Sequence, residues 1–215
     1  MEFEKVVNER HSVRNFSSKE IPNELLTKIV KIAQRTPSWT NSQPWKVYIA
    51  KGKALEQIKK SHLKKSEEGL PSNTEIKQVS RTAWGKLPSD NTQNWSDHLT
   101  KFLGSDMEKM GKSQIELFNA PALVYLVAEK EVSPWMIYDI GAFSQTLMLA
   151  AKDNGVDSIP AFEIVRFPED IHQALNIPDN EVVVAGIALG YSTDAYLNEF
   201  YTDRDNTEDI LKIEE

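Results

Sequence analysis

The 215-residue sequence has no cysteine. That excludes disulfides, thiol nucleophiles, iron–sulfur ligation and cysteine zinc sites. Histidine is scarce, and His11, His62, His98 and His172 never fall three or four apart. A helical His-x-x-x-His pair is therefore missing, and no metal site is expected. Positive charge is not in excess: 25 Lys and Arg face 32 Asp and Glu, for a net charge of −7. Binding to a nucleic-acid backbone needs a basic surface and is not expected. Any anion held here must be held by a few placed cations. The longest weakly polar run, from Ile140 to Ala151, is too short for a membrane span and contains Ser144, Gln145 and Thr146. No membrane partner is expected. Residues 1–14 lack the apolar stretch of a secretory leader, so the expected location is cytoplasmic. There is no GxSxG elbow, no Walker loop and no GxGxxG fingerprint; the Gly186–Gly190 pair has the wrong spacing for a Rossmann site.

What is present suits one folded domain over 1–215. Apolar residues make up 40% and charged residues 27%. Phe3, Val6 and Val7 predict a short helix over 2–10, and a stripe of Leu25, Leu26, Ile29, Val30 and Ala33 predicts a second after Pro22. Thr36-Pro37 ends it. Residues 46–51 alternate as a strand does, and 53–66 read as helix. Residues 67–96 carry no period, yet they contain Trp84 and Trp95, which predicts a lid or excursion packed back on the domain. Residues 97–110 read as helix. Two nearly continuous apolar runs, 122–128 and 182–189, predict strands covered on both faces. Between them, Ser133-Pro134 and Gly155 bracket a long helix with Ile140, Phe143, Leu147 and Ala151 facing inward. Residues 191–215 form an acidic tail carrying Tyr196, Phe200 and Tyr201, a pattern that suggests wrapping over a partner.

Three groups of residues bear chemistry. Arg10, Ser12 and Arg14 present a guanidinium fork, a hydroxyl and a second fork within five residues, which suits an oxyanion such as phosphate. The plainer alternative is a solvated arginine pair at the end of a helix, paired with glutamates. Ser38, Thr40, Asn41, Ser42 and Gln43 lie between Pro37 and Pro44, and such a loop either reads the polar edge of a planar heterocycle or forms a hydrogen-bonded turn. Arg204 is the lone cation of residues 199–211 and either contacts an anion or balances the acids around it.

The stretch Arg10-His11-Ser12-Val13-Arg14 followed by 37–45 (PSWTNSQPW) resembles the flavin-dependent nitroreductase family. Residues 119–122, 135–151, 159–162, 188–191 and 198–204 extend the likeness, toward the branch that includes nitrobenzoate reductases. The match spans about 1–55 and 115–210, while 67–112 fits poorly. The resemblance implies an α+β fold with a central mixed or antiparallel sheet flanked by helices. It implies an intertwined homodimer whose C-terminal tail, from about residue 191, wraps the partner, and a variable lid at about 67–112. It further implies FMN at the subunit interface. Arg10, Ser12 and Arg204 would address the phosphate and ribityl oxygens, with His11 beside them and Arg14 near the pyrimidine edge of the ring. Backbone around Pro160, Ala161 and Phe162 would approach the ring face, and Pro37, Ser38, Trp39 and Asn41 would reach the flavin of the other subunit. Trp39 would pack in the dimer seam or line the acceptor pocket. Arg81 or Lys86 would supply the mid-chain cation found in many members. The implied activity is NAD(P)H-dependent reduction of a small electron-poor acceptor such as a nitroarene or quinone, in a ping-pong scheme through flavin N5, with no catalytic side chain. Dehalogenation, enone reduction or flavin destruction on the same fold is the alternative, and a non-catalytic binding protein is the remaining one.

Overall fold

The structure, a computed structural model, describes residues 2–215. Helices α1 (Phe3–Glu9) and α2 (Asn23–Ala33) precede β1 (Lys46–Ala50) and α3 (Gly52–Glu67). Then come α4 (Lys86–Leu103), α5 (Met107–Ile115), β2 (Ala122–Glu129) and α6 (Pro134–Asp153). β3 (Asp157–Pro160), α7 (Pro168–Leu175), β4 (Glu181–Gly190) and a final turn of helix, α8 (Thr207–Ile210), complete the chain.

The four strands form one sheet in the order β1-β2-β4-β3, and every strand pair is antiparallel. The expectation of a mixed or antiparallel sheet therefore resolves to antiparallel; parallel pairing is limited to the isolated Ser12–Ser158 bridge. The two apolar runs are the central strands β2 and β4, as their continuous hydrophobicity requires. Unbroken apolar strands are typical of parallel sheets, but here the cause is double coverage, not strand direction. Leu123, Tyr125 and Val127 enter one core with Ile58, Phe118, Ile164 and Ile171. Their neighbours Ala122, Val124 and Leu126 enter the other, against Ile29 of α2 and Ile140, Phe143 and Leu147 of α6. The period of two along a strand sends alternate residues to the two faces.

α6 begins and ends where its punctuation says. The Ser133 hydroxyl accepts a hydrogen bond from the Met136 N–H at 3.3 Å, and Gly155 takes φ +74° just beyond the end. Gly186 on β4 allows the turn after β3 to lie flat on the sheet, because a Cβ there would collide with Ile164 Cγ2.

The middle of the chain departs from expectation. Residues 70–75 have no regular structure but are tied down. Arg166 donates to the Leu70 carbonyl at 2.7 Å, and the Asn73 N–H donates to the Arg166 carbonyl at 3.0 Å. The Glu75 carboxylate accepts from the Val183 N–H at 2.7 Å and meets His172 Nε2 at 3.1 Å. Helix α4 then starts at Lys86, well before the expected 97, and Gly104 at φ +51° splits the expected single helix into α4 and α5. Trp84 and Trp95 stay partly exposed. The excursion packs back through Leu99, Leu103 and Met110, which form a small third cluster with Leu197 and Phe200 of the tail. Periodicity predicts neither β3, which has only four residues, nor α7.

Candidate functional site

α1 ends at Arg10, and the chain turns into an extended segment laid beside β3: Ser12 bridges Ser158, and the Val13 N–H donates to the Ser158 carbonyl at 3.1 Å. Val13 and Phe16 enter the core and fix this segment by burial. Arg14 is 5% exposed. Its Nη1 donates to the carbonyls of Ser12 (2.9 Å) and Phe200 (3.2 Å), and its guanidinium lies 5.2 Å from the Phe200 ring centre. Burial lowers its pKa from the ordinary arginine value.

The tail returns to the same place. The Tyr201 ring packs 4.2 Å from His11. Arg204 donates to Thr202 Oγ1 and the Asp203 carbonyl, both at 2.8 Å, so its fork is braced by local groups and not by a carboxylate. Burial, and after it the positive field of Arg204, lower the pKa of Arg10. The two guanidiniums are close enough to feel each other and, among the described residues, neither forms an ion pair with a carboxylate, an arrangement that suits an added anion. A phosphate monoester supplies that charge and those acceptors, and the Ser12 hydroxyl stands two residues from Arg10. A cavity of about 470 Å³ lies alongside, between α4 and Phe200–Asp205. The Ser12–Ser158 bridge leads down β3 to Pro160, Ala161 and Phe162, which line a second cavity of about 350 Å³ under Gly186. Its opposite wall is Thr74, Ile76 and Gln78 of the tied-down segment. Two cations and an apolar slot, linked through Ser12 and β3, are the parts that a phosphate-bearing ligand with a flat ring calls for; Asp203 and Asp205 also line the first cavity.

Neither cation named for the ring lines this second cavity. Arg81 lies over the Trp84 ring at 5.9 Å, and Lys86 pairs with Asp90 on its own helix.

The second loop stands apart. Thr40, Asn41 and Gln43 all adopt left-handed backbone, at φ +49°, +58° and +46°. For β-branched Thr40 this costs roughly 1–2 kcal/mol. Ser38 Oγ accepts the Gln43 N–H at 2.9 Å and closes the turn. One face of α6 holds both ends: Asp139 accepts the Trp39 N–H at 3.1 Å, and Phe143, one helical turn on, stacks with Trp45 at 4.8 Å. Trp39 itself is 60% exposed. Among the described residues no hydrogen bond joins this loop to residues 10–14 or to the tail.

Two positions in this arrangement were not named as site residues, although both lie in stretches that carry the likeness, 135–151 and 198–204. Asp139 is 4% exposed, and its clue is a charge on the buried stripe of an otherwise apolar helix. Asn198 is buried under the 14–15 backbone, and its neighbours in sequence do not reveal that role. Among the described residues no group of three or more His, Asp or Glu could hold a metal ion, and no helix is long and apolar enough to cross a membrane.

Comparison with known proteins gives a consistent picture. The model of the nitroreductase family matches residues 7–191. The chain is 27% identical to a 4-nitrobenzoate reductase of Pseudomonas putida, covering 89% of this chain and 86% of that protein. It is 26% identical to a chloronitrobenzene nitroreductase of Comamonas testosteroni, with 87% and 85% covered. The FMN-dependent nitroreductase NfnB from Mycobacterium smegmatis, solved in complex with NADPH, superposes with a TM-score of 0.90 over 99% of this chain and 97% of that one, at 22% identity.

Proposed function

This chain belongs to the nitroreductase family, and on that premise we propose that it is an FMN-dependent NAD(P)H oxidoreductase acting on nitroaromatic, quinone-like or related electron-poor acceptors. The observation that carries the cofactor assignment is the pairing of Arg10 with Arg204, two cations that feel each other and, among the described residues, form no ion pair with a carboxylate, next to the loop whose Ser12 bridges β3, the strand that ends at Pro160. Those cations and the Ser12 hydroxyl hold the phosphate, His11 and Tyr201 flank it, and the 160–162 backbone supports the ring. FMN held there would supply the redox chemistry, a carrier of electrons between a nicotinamide and the acceptor. The protein holds the ring, shields it from water and leaves one face open to both substrates in turn, a ping-pong order. No side chain is required as acid, base or nucleophile.

A homodimer completes the site in this reading, with Pro37, Ser38, Trp39 and Asn41 reaching the partner's flavin. Three features support it. The 37–43 loop makes no hydrogen bond to its own chain's cation pair, and Trp39 stays exposed. β1 is an edge strand, open on one side. Beside it lies a groove of about 710 Å³ lined by Leu26, Val30, Val47, Ile49, Lys31 and Lys51. The tail offers the complement: exposed Ile210, Leu211 and Ile213 among Glu208, Asp209, Glu214 and Glu215. The tail of a second copy therefore suits the groove in shape, polarity and charge. In the same reading the whole chain is one domain, with 67–112 as its variable lid.

The test is direct. The purified protein should be yellow, bind FMN more tightly than riboflavin, and bleach on anaerobic addition of NADPH or NADH before a nitroarene restores the colour. Equal affinities for the two flavins would remove the phosphate assignment. A colourless protein that takes up neither would remove the enzyme assignment.

A further inference from the structure

Two guanidiniums repel, so something must hold the segments that carry them. The residues that bear Arg10 and Arg204 come from opposite ends of the chain, and residues 201–204 have no regular structure of their own. The side chain that ties the tail to the N-terminal loop is Asn198, in the 3-10 turn Tyr196–Glu199. Its side chain is 8% exposed and fully used. Oδ1 accepts from the backbone N–H groups of Arg14 (2.7 Å) and Asn15 (3.0 Å). Nδ2 donates to the carbonyls of Asn15 (2.8 Å) and Thr193 (3.0 Å). An amide has two acceptor sites and two donors, and here all four are satisfied. Three of the four bonds cross between the N-terminal loop and the tail.

We propose that Asn198 is a positioning residue for the phosphate end of the flavin site: its carboxamide locks the tail to residues 14–15 and so sets the spacing of Arg10 and Arg204. This rests on the flavin reading above. Arg10 stands four residues before the clamp and Arg204 six after it. Arg14 adds the second tie, through the Phe200 carbonyl, and the stack of His11 on Tyr201 carries the register outward. A looser clamp lets the two like charges move apart, and the phosphate then meets one cation at a time. The ring end is held mainly through β3 and residues 160–162, so this amide bears on it only through the backbone of Arg14 and less than on the phosphate end.

The experiment measures FMN and riboflavin dissociation constants by flavin-fluorescence quenching on the full-length apoprotein, for wild type, N198D, N198S and T193V. N198D is nearly isosteric but replaces the two donors by an acceptor facing two carbonyls. Expected are a loss of at least about tenfold in FMN affinity and a riboflavin affinity that stays put, so that the FMN preference collapses. N198S, which keeps one donor and one acceptor, should fall between, and it carries the same comparison if N198D does not accumulate as folded protein. T193V removes the Thr193 hydroxyl bonded to Asn15 but leaves the amide's bonds intact, and it should keep the preference. A preference retained in both Asn198 variants, a parallel loss for both flavins, or an equal loss in T193V would overturn the proposal. A wild type with no preference would instead overturn the phosphate reading on which it rests.

Discussion

Residues 10–16 and residues 37–43 are both polar segments that leave a helix, and they are held in opposite ways. The first is gripped from two sides: β3 pairs with Ser12 and Val13, and the tail clasps Arg14 and Asn15 through Asn198 and Phe200. Its backbone polar groups are used, and its one buried charge donates to two carbonyls. The second is gripped at its ends alone, by Asp139 and by Phe143 under Trp45. Its middle stores left-handed backbone and points an indole into solvent. A loop finished within the chain has no need of a partner, whereas a strained loop with free polar edges presents them to something else. The comparison matches the proposed division of labour: one chain builds the phosphate end, and a second chain closes the ring end.

The largest expected effect comes from removing the clasp altogether. Deleting residues 196–215 takes away Leu197, Asn198 and Phe200, uncovers Leu99, Leu103 and Arg14, and removes the segment proposed to cover the partner's β1 edge. The product should be flavin-poor and aggregation-prone by size-exclusion chromatography; a yellow, active monomer would refute both roles of the tail. Next is Trp39→Ser. If the exposed indole is buried in the dimer seam, its loss costs about 3–5 kcal/mol of dimer stability. The melting temperature should then fall and become more dependent on protein concentration, with little change in acceptor preference. Unchanged melting with shifted Michaelis constants for small and large nitroarenes would place Trp39 in the acceptor pocket instead.

Arg14→Ala removes two charge-assisted hydrogen bonds and the contact with the Phe200 ring, and should cost about 2–4 kcal/mol in urea unfolding. The resemblance sets this residue near the pyrimidine edge of the flavin; its burial against Phe200 gives it a bracing role in addition. A variant as stable as wild type would show that the first loop does not depend on it. The smallest effect is expected for Asp139→Ala, about 1–3 kcal/mol from a partly buried N–H left without its acceptor. Hydrogen exchange at the Trp39 amide should accelerate in that variant and stay slow in Asp139→Asn, which keeps an acceptor oxygen. Equal exchange in both would mean that the second loop holds its shape unaided.

Much of this was legible in the residues, for physical reasons that differ by region. β2 and β4 were readable because a strand covered on both faces must be apolar throughout. α6 was readable because a serine cap, a proline and a glycine bracket an apolar stripe. The two loops stood out because their polar residues have no periodic reason to cluster. Helix α4 was hidden: its first half, with Ser89, Asn91, Thr92 and Asn94, has poor helix formers and little to bury, and its anchors Leu99, Phe102 and Leu103 all lie in its last turns. β3 was too short to show a period. Asp139 and Asn198 lie in stretches that carry the likeness, but they act through backbone groups far away in sequence, which the residues around them do not reveal. Glu75 is similar: its partners, His172 and the Val183 N–H, are set by the return of β4 and by nothing nearby.

Gly186 divides the second cavity into a part that can vary and a part that cannot. The turn carrying Phe162 sits directly on it, so a side chain larger than hydrogen would lever Ile164 and Val165 out of the core along with the wall of the slot. That wall is committed to the fold. The other lining segment, at Thr74, Ile76 and Gln78, is irregular, fastened at Asn73 and Glu75 and by the Thr74 hydroxyl on the Ile76 carbonyl, and its side chains belong to neither core cluster. Selection for a new acceptor, natural or in the laboratory, has room to act on one side of the slot only, and libraries built at 74, 76 and 78 should yield folded variants far more often than libraries that include 186.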